Sequence, residues 1–161
     1  MINIILIGRK GEGKSTFVRK YIAKRRALLF DVNNEYKDLK TDNRLQRSRM
    51  VELDHKEFIR LCLTKKNTVC VFEDATGFLE GRLDGDFRKS FVSTRHTGNA
   101  NIYIFHSILS VPPKMIQLSD YIILHKTNDE RKHVEKKYPS LLKYYDYLRD
   151  KPQFSNITIK L

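Results

Sequence analysis

Short continuous apolar runs alternate along this chain with stretches whose apolar residues recur at helical spacing. The runs Ile2–Ile7 (interrupted only by Asn3), Ala27–Phe30, Val69–Phe72, Ile102–Phe105 and Tyr121–Leu124 are rich in β-branched and aromatic residues. That is the pattern of strands buried on both faces. Phe17, Val18, Tyr21 and Ile22 mark a helix predicted from Lys14 to about Arg26. Phe58, Ile59, Leu61 and Cys62 mark another, ending near Lys65-Lys66, and Phe87, Phe91 and Val92 a third from about Asp86 to Thr94. Pro113 opens a short helix to about Leu118, and Leu141, Leu142, Tyr145 and Leu148 give a last helical face after Pro139. Asp54 with Glu57, and Thr127 with Glu130, have the spacing of capping boxes. Ile157, Ile159 and Leu161 alternate in a half-exposed terminal strand. Met50–Leu53 reads as a short edge strand, and the charge-rich stretch 37–50 as a mobile or surface-bound excursion. Strand–helix alternation predicts an α/β fold, with a mostly parallel sheet and helices on both faces. The length of 161 residues suggests one domain over 1–161.

The first strand runs without a spacer into Gly8-Arg9-Lys10-Gly11-Glu12-Gly13-Lys14-Ser15, followed by Thr16. Gly8, Gly13, Lys14 and Ser15 meet the pattern G-x-x-x-x-G-K-[ST]. Both contexts that give the motif meaning are present, a buried strand before it and an amphipathic helix after it. Glycines let successive amides turn toward one anion, and the helix start adds its positive end. Lys14 can reach the β- and γ-phosphates, and Ser15 can place a hydroxyl on Mg²⁺. These residues, Gly8 through Thr16, are expected to hold a nucleoside triphosphate, so the fold expected is a P-loop NTPase three-layer sandwich of RecA/ASCE-like type.

Val69–Phe72 ends in Glu73-Asp74. Two acids at a strand end supply the rest of a nucleotide-hydrolysing site: Glu73 on the metal side with Ser15, and Asp74 to polarise the attacking water. Ile102–Phe105 ends in His106, a polar residue positioned to sense the γ-phosphate or simply to be satisfied there. Asp31 and Glu35 follow the second strand, where they face the nucleotide or cap a turn.

The net charge is +12, with clusters at Arg19-Lys20, Lys24-Arg25-Arg26 and Arg44–Arg49. Such a field attracts nucleic acid through its phosphates, or serves as a solvated surface that helps hold nucleotide. No stretch approaches the ~18 apolar residues of a membrane span, and the N-terminal run lacks the basic segment of a signal peptide. Cys62 and Cys70 have no metal-ligand spacing and make no disulfide framework. A cytoplasmic setting fits. Guanine readout requires N-K-x-D after a late strand; His125-Lys126-Thr127-Asn128 stands there, with an amide where a carboxylate is needed. That disfavours a GTPase. A small-molecule kinase would use an arginine-bearing lid, which Arg44–Arg49 imitates without regular spacing. A nucleotide-binding switch with little turnover remains open.

The chain resembles the FtsK–HerA superfamily of P-loop ATPases, particularly its viral genome-packaging branch and the Zot-like phage assembly ATPases. GRKGEGKS, FDVNNEY, VCVFEDA and STRHTGNANIYIFHS followed by VPP carry the resemblance, which covers most of residues 2–130. It implies ATP and Mg²⁺ as cofactors, a homo-oligomeric ring (pentamer or hexamer), double-stranded DNA as cargo, and a viral portal or capsid partner in the host cytoplasm. It also implies that Arg95, just before the fourth family strand, is an arginine finger given to a neighbouring subunit, with Arg82 and Arg88 as rivals. Two departures stand out: His106 replaces the usual glutamine, and the acids read Glu-Asp where Asp-Glu is common, so their two roles are open to exchange.

Overall fold

The computed structural model describes residues 2–49, 52, 54–77, 79 and 85–161; of residues 86 and 93–95 it describes the backbone alone. In chain order the elements are β1 (Ile2–Ile7), α1 (Lys14–Ile22), β2 (Ala27–Phe30), β3 (Leu45–Ser48), α2 (His55–Thr64), β4 (Val69–Phe72), α3 (Gly85–Thr97), β5 (Ala100–Phe105), α4 (Pro113–Leu118), β6 (Tyr121–His125), α5 (Arg131–Lys137), α6 (Pro139–Arg149) and β7 (Asn156–Lys160). One sheet takes the order β3-β2-β4-β5-β1-β6-β7. Every pairing is parallel except that of β7 with β6. This is the α/β P-loop NTPase fold expected from the sequence, with the acidic strand β4 separated from β1 by β5.

Alternate residues of the strands feed two cores, as a period of two requires. Ile5, Ile7, Phe30, Phe72, Tyr103 and Phe105 pack on one face with Phe58 of α2, Phe87 of α3, Met115 of α4, Val134 of α5 and Leu141 of α6. Ile4, Leu6, Leu29, Val71 and Ile104 pack on the other with Val18 and Ile22 of α1 and with Tyr36. Among the described elements, the second face is thus covered by α1 and the segment after β2, a thinner layer than the first.

Two buried asparagines hold the register of the central strands. Asn3 and Asn101 stand opposite each other in the β1–β5 ladder. The Asn101 amide donates to Asn3 Oδ1 at 3.0 Å and to the Ser90 carbonyl at 3.2 Å, and the Asn3 amide donates to the Phe91 carbonyl at 3.3 Å. A slip by one residue would break these bonds and leave the buried amides without partners.

Several expectations change. The stretch 37–50 is not wholly an excursion: Leu45–Ser48 forms the edge strand β3 beside β2, with Leu45 buried. Its single buried apolar residue is too weak a signal to read as a strand. The edge strand expected at 50–53 lies, except for Glu52, outside the described residues. The Asp54–Glu57 capping box forms on α2. The Thr127–Glu130 box does not, because α5 starts one turn later, with Glu130 at its N-cap and no side-chain cap bond. α1 ends at Ile22, short of Arg26, and α3 runs on to Thr97.

Asn99, in the turn between α3 and β5, ties three elements together. Its Oδ1 accepts from the Thr68 N–H at 3.0 Å, and its amide donates to the Cys62 and Lys65 carbonyls at 3.1 Å each. The side chain is buried, so truncation strands the Thr68 N–H and the Lys65 carbonyl and leaves the Cys62 carbonyl with the Lys65 N–H alone. Asn99→Ala is expected to lower the unfolding free energy by about 2–3 kcal/mol in urea titrations. Asn99→Asp should cost no less, since its carboxylate would face two carbonyl oxygens.

Candidate active site

In a parallel sheet the strands all end on one edge, and here five of those ends carry polar residues. The phosphate loop follows β1, Asp31 follows β2, Glu73 and Asp74 follow β4, His106 follows β5, and Lys126 follows β6. Register brings them level: Ile7 stands opposite Phe105 and Leu124, and Phe30 opposite Phe72. The ladder continues one step into the loops, through Gly8 N–H to the Phe105 carbonyl at 3.1 Å and Arg9 N–H to the Lys126 carbonyl at 2.8 Å.

Two glycines shape the loop for different reasons. Gly13 is left-handed at φ +88°, turning the chain into α1 with no side-chain cap on the helix amides. Gly8 needs the absence of a side chain, because a Cβ there would lie 2.6 Å from the His125 Cβ. Within the loop the buried Glu12 carboxylate accepts from Arg9 Nε at 2.8 Å and from the Phe154 N–H at 3.1 Å. Burial works against its charge, but the Arg9 guanidinium and the Phe154 N–H outweigh that and hold it below the usual carboxylate range. Lys10 lies in the exposed bend of the loop, and Thr16 in the first turn of α1.

Lys14 curls back over the loop. Its ammonium donates to the Gly8 carbonyl at 2.5 Å and the Arg9 carbonyl at 2.9 Å, and Nζ lies 3.3 Å from His106 Nδ1. Burial lowers its pKa against the opposing pull of Glu35, Glu73 and Asp74. An ammonium only donates, so in that contact Nδ1 is the acceptor. The other ring nitrogen, Nε2, lies 3.9 Å from Asp74 Oδ1. His106 therefore stands between the loop lysine and the second acid. Asp74 itself is left-handed, at φ +47°, an unfavourable conformation for a non-glycine residue that cocks its carboxylate away from the strand line.

Asp31, Glu35 and Tyr36 form one unit. The fully buried Asp31 carboxylate accepts from the Glu35 N–H at 2.8 Å and the Tyr36 N–H at 3.1 Å, and pairs with Arg47 Nη1 at 3.0 Å. So held, the Glu35 carboxylate accepts from the Ser15 hydroxyl. Asp31 thus supports the site from beneath, and Glu35 faces it. Glu73 is buried beside them and accepts from the Asn33 N–H at 3.2 Å. Burial and the adjoining Asp31 carboxyl push the Glu73 carboxyl up to about 8. Ser15, Glu35 and Glu73 present only oxygen donors, the chemistry that suits Mg²⁺. Among the described residues no three His, Cys, Asp or Glu side chains form a complete metal cage. Mg²⁺ needs none, because it takes one or two carboxylates and completes its shell with phosphate oxygens and water.

Of the residues picked out from the sequence, the structure gathers the Gly8–Thr16 loop, Glu73, Asp74 and His106 at one edge. Arg95 is not among them. Its backbone lies in the last turn of α3, which leads into the amino-terminal edge of the sheet, opposite the phosphate loop; its side chain lies outside the described residues. Arg82 also lies outside them, and Arg88 is exposed on α3. Sequence reading missed Arg47, the cation that balances Asp31, because a lone arginine in a charged stretch carries no signal of its burial partner.

The sheet order, with the loop at the end of its central strand, is that of the P-loop NTPase fold. The chain matches no protein-family model and, by sequence, no curated protein. By structure it is similar to B204, the genome-packaging NTPase of Sulfolobus turreted icosahedral virus 2. The complex with ATP-γ-S superposes with a TM-score of 0.80 at 17% identity, covering 99% of this chain and 92% of that one. The AMP complex gives 0.78 at 17% identity, with the same coverage. B204 of Sulfolobus turreted icosahedral virus, a DNA-packaging ATPase, gives 0.78 at 16% identity, again over 99% and 92%. The resemblance to viral packaging ATPases therefore extends over nearly the whole chain as a shared fold.

Arg47 pairs with Asp31, a carboxylate that has no access to water. Arg47→Met is expected to destabilise the chain by about 2 kcal/mol in denaturant at neutral pH. The double variant Asp31→Asn, Arg47→Met should lose less than the sum of the two single changes, which a double-mutant cycle measures.

Proposed function

We propose that the chain is a Mg²⁺-dependent ATPase, one P-loop domain that works in a homo-oligomeric ring as a DNA-translocating, genome-packaging motor of the FtsK–HerA type. The observation that carries this reading is the line Lys14–His106–Asp74, which joins a loop built for phosphates to an acid placed for water. A nucleotide-binding switch would need the first and not the second.

In this reading Lys14 leaves the carbonyls of Gly8 and Arg9 to meet the β- and γ-phosphates, joined by amides of Gly8 through Thr16. Ser15 and Glu73 would hold Mg²⁺, which would supply positive charge against the phosphate oxygens. Asp74 orients the attacking water, and His106 registers whether the γ-phosphate is present by exchanging its contact with Lys14 for one with phosphate. Arg95, remote from its own subunit's site, serves a neighbour's, so that hydrolysis requires assembly. The similarity to B204, which packages a viral genome, and the charge of +12 support DNA as the cargo. Among the described residues no helix is long and apolar enough to cross a membrane, which agrees with work in a cytoplasm, that of the host if the protein is viral.

Mg²⁺-dependent ATP turnover should rise more than linearly with protein concentration, rise further with double-stranded DNA at moderate salt, and vanish on chelation. Flat turnover indifferent to DNA would reject the motor. Lys14→Ala should remove turnover outright. Arg95→Ala should keep nucleotide binding and lose turnover, and mixing the two inactive variants should restore part of it. An absence of rescue at ring-forming concentrations would reject the finger in trans.

A further inference from the structure

A second feature lies on the flank of the phosphate loop, away from the Lys14–Asp74 line. The first turns of α1, through Thr16, Phe17 and Lys20, and the segment Phe154–Asn156 before and into β7 enclose a cavity of about 390 Å³. Phe154 stands at its edge with 60% of its surface exposed. Its backbone is left-handed, at φ +67°, a conformation rarely taken by an aromatic residue and found mostly where the surroundings enforce it. The surroundings here are the phosphate loop itself. The Phe154 N–H donates to the buried Glu12 carboxylate at 3.1 Å, and the Gln153 amide donates to the Gly11 carbonyl at 3.2 Å. The ring lies close enough that a Cβ on Gly13 would be 3.3 Å from it. The same cavity is lined by His125, whose side chain is buried.

An exposed aromatic ring in an enforced conformation, fastened to the loop that receives phosphates, is half of a stacking site. We propose that this cavity receives the purine base of the nucleoside triphosphate, with the Phe154 ring as its stacking face. The inference rests on the proposed nucleotide-binding role of the loop and adds where the base goes. The Glu12 carboxylate links the two parts: by holding the Phe154 N–H it sets the ring at a fixed distance from the phosphates, so base and triphosphate are read together. Stacking on an aromatic ring serves any base, and a purine offers the larger face.

The test separates base from phosphates. Calorimetric titration of the full chain with Mg-ATP and with Mg-tripolyphosphate, which has no base, should show Phe154→Ala weakening ATP about tenfold and leaving tripolyphosphate unchanged, with Phe154→Tyr close to the parent protein on both. Equal affinities for ATP in Phe154→Ala and the parent would overturn the proposal, and so would an equal loss for both probes. The chain contains no tryptophan, so Phe154→Trp supplies a single fluorophore at the site. Its emission should change on binding ATP and stay constant with tripolyphosphate; ATP binding without a change in emission overturns the stacking. A parent protein that binds neither probe overturns the nucleotide reading itself, and this inference with it.

Discussion

The parallel, in-register pairing of β1 between β5 and β6 is the constraint on which the rest of the molecule depends. Parallel strands end together, so residues as far apart as Lys14, Asp74 and His106 meet only because β1, β4 and β5 are aligned. Apolar strands buried on both faces specify this alignment weakly, since one isoleucine replaces another at little cost. The Asn3–Asn101 pair supplies what the apolar residues lack. Buried amides must find partners, and in this sheet they find them in one register only, while also docking the α3 carbonyls of Ser90 and Phe91. Polar groups at the amino-terminal edge thereby secure the geometry of the opposite one.

At that carboxyl edge the charges are crowded. Glu12, Glu35, Glu73 and Asp74 stand around Lys14, with Asp31 beneath them tied to Arg47. Such a group of carboxylates is unfavourable when closed off from water unless it is paired or protonated. Several local devices share the load: Asp31 takes two main-chain N–H groups and a guanidinium, Glu35 takes the Ser15 hydroxyl, and Glu73 has a raised pKa. A site in this condition is pre-organised for a cation, and the same carboxylates hold the lysine near the place where phosphates are expected.

The uneven layering has a consequence of its own. α1 packs on the face with less helical cover, so its amino terminus and its flank stay open beside the loop. α3, on the thicker face, turns the end bearing Arg95 toward the other edge of the sheet. Within one chain, then, the groups proposed to bind and orient lie at one edge of the sheet and the backbone of Arg95 at the other. In the proposed ring, a neighbour's edge would close that gap.

The sequence by itself determined the class. The spacing of Gly8, Gly13, Lys14 and Ser15 after an apolar run is local chemistry, and so are the strand ends at Glu73-Asp74 and His106 and the capping box at Asp54–Glu57. Each is set by neighbours within a few residues, and for that reason each was legible. Tertiary structure decided which groups touch. Nothing near Arg47 announces that it balances Asp31, because the pairing depends on a one-sided edge strand whose sole buried apolar residue is Leu45. Nothing near Phe154 announces the phosphate loop, because the 142-residue separation between it and Glu12 is closed only when β7 folds back against β6. The Thr127–Glu130 spacing suggested a cap that did not form, since the loop carrying it is held by contacts of Asn128 and Asp129 with Arg9 and Ser107. Short-range patterns specify elements. Long-range partners follow from how the sheet is ordered, and that order is a property of the folded whole.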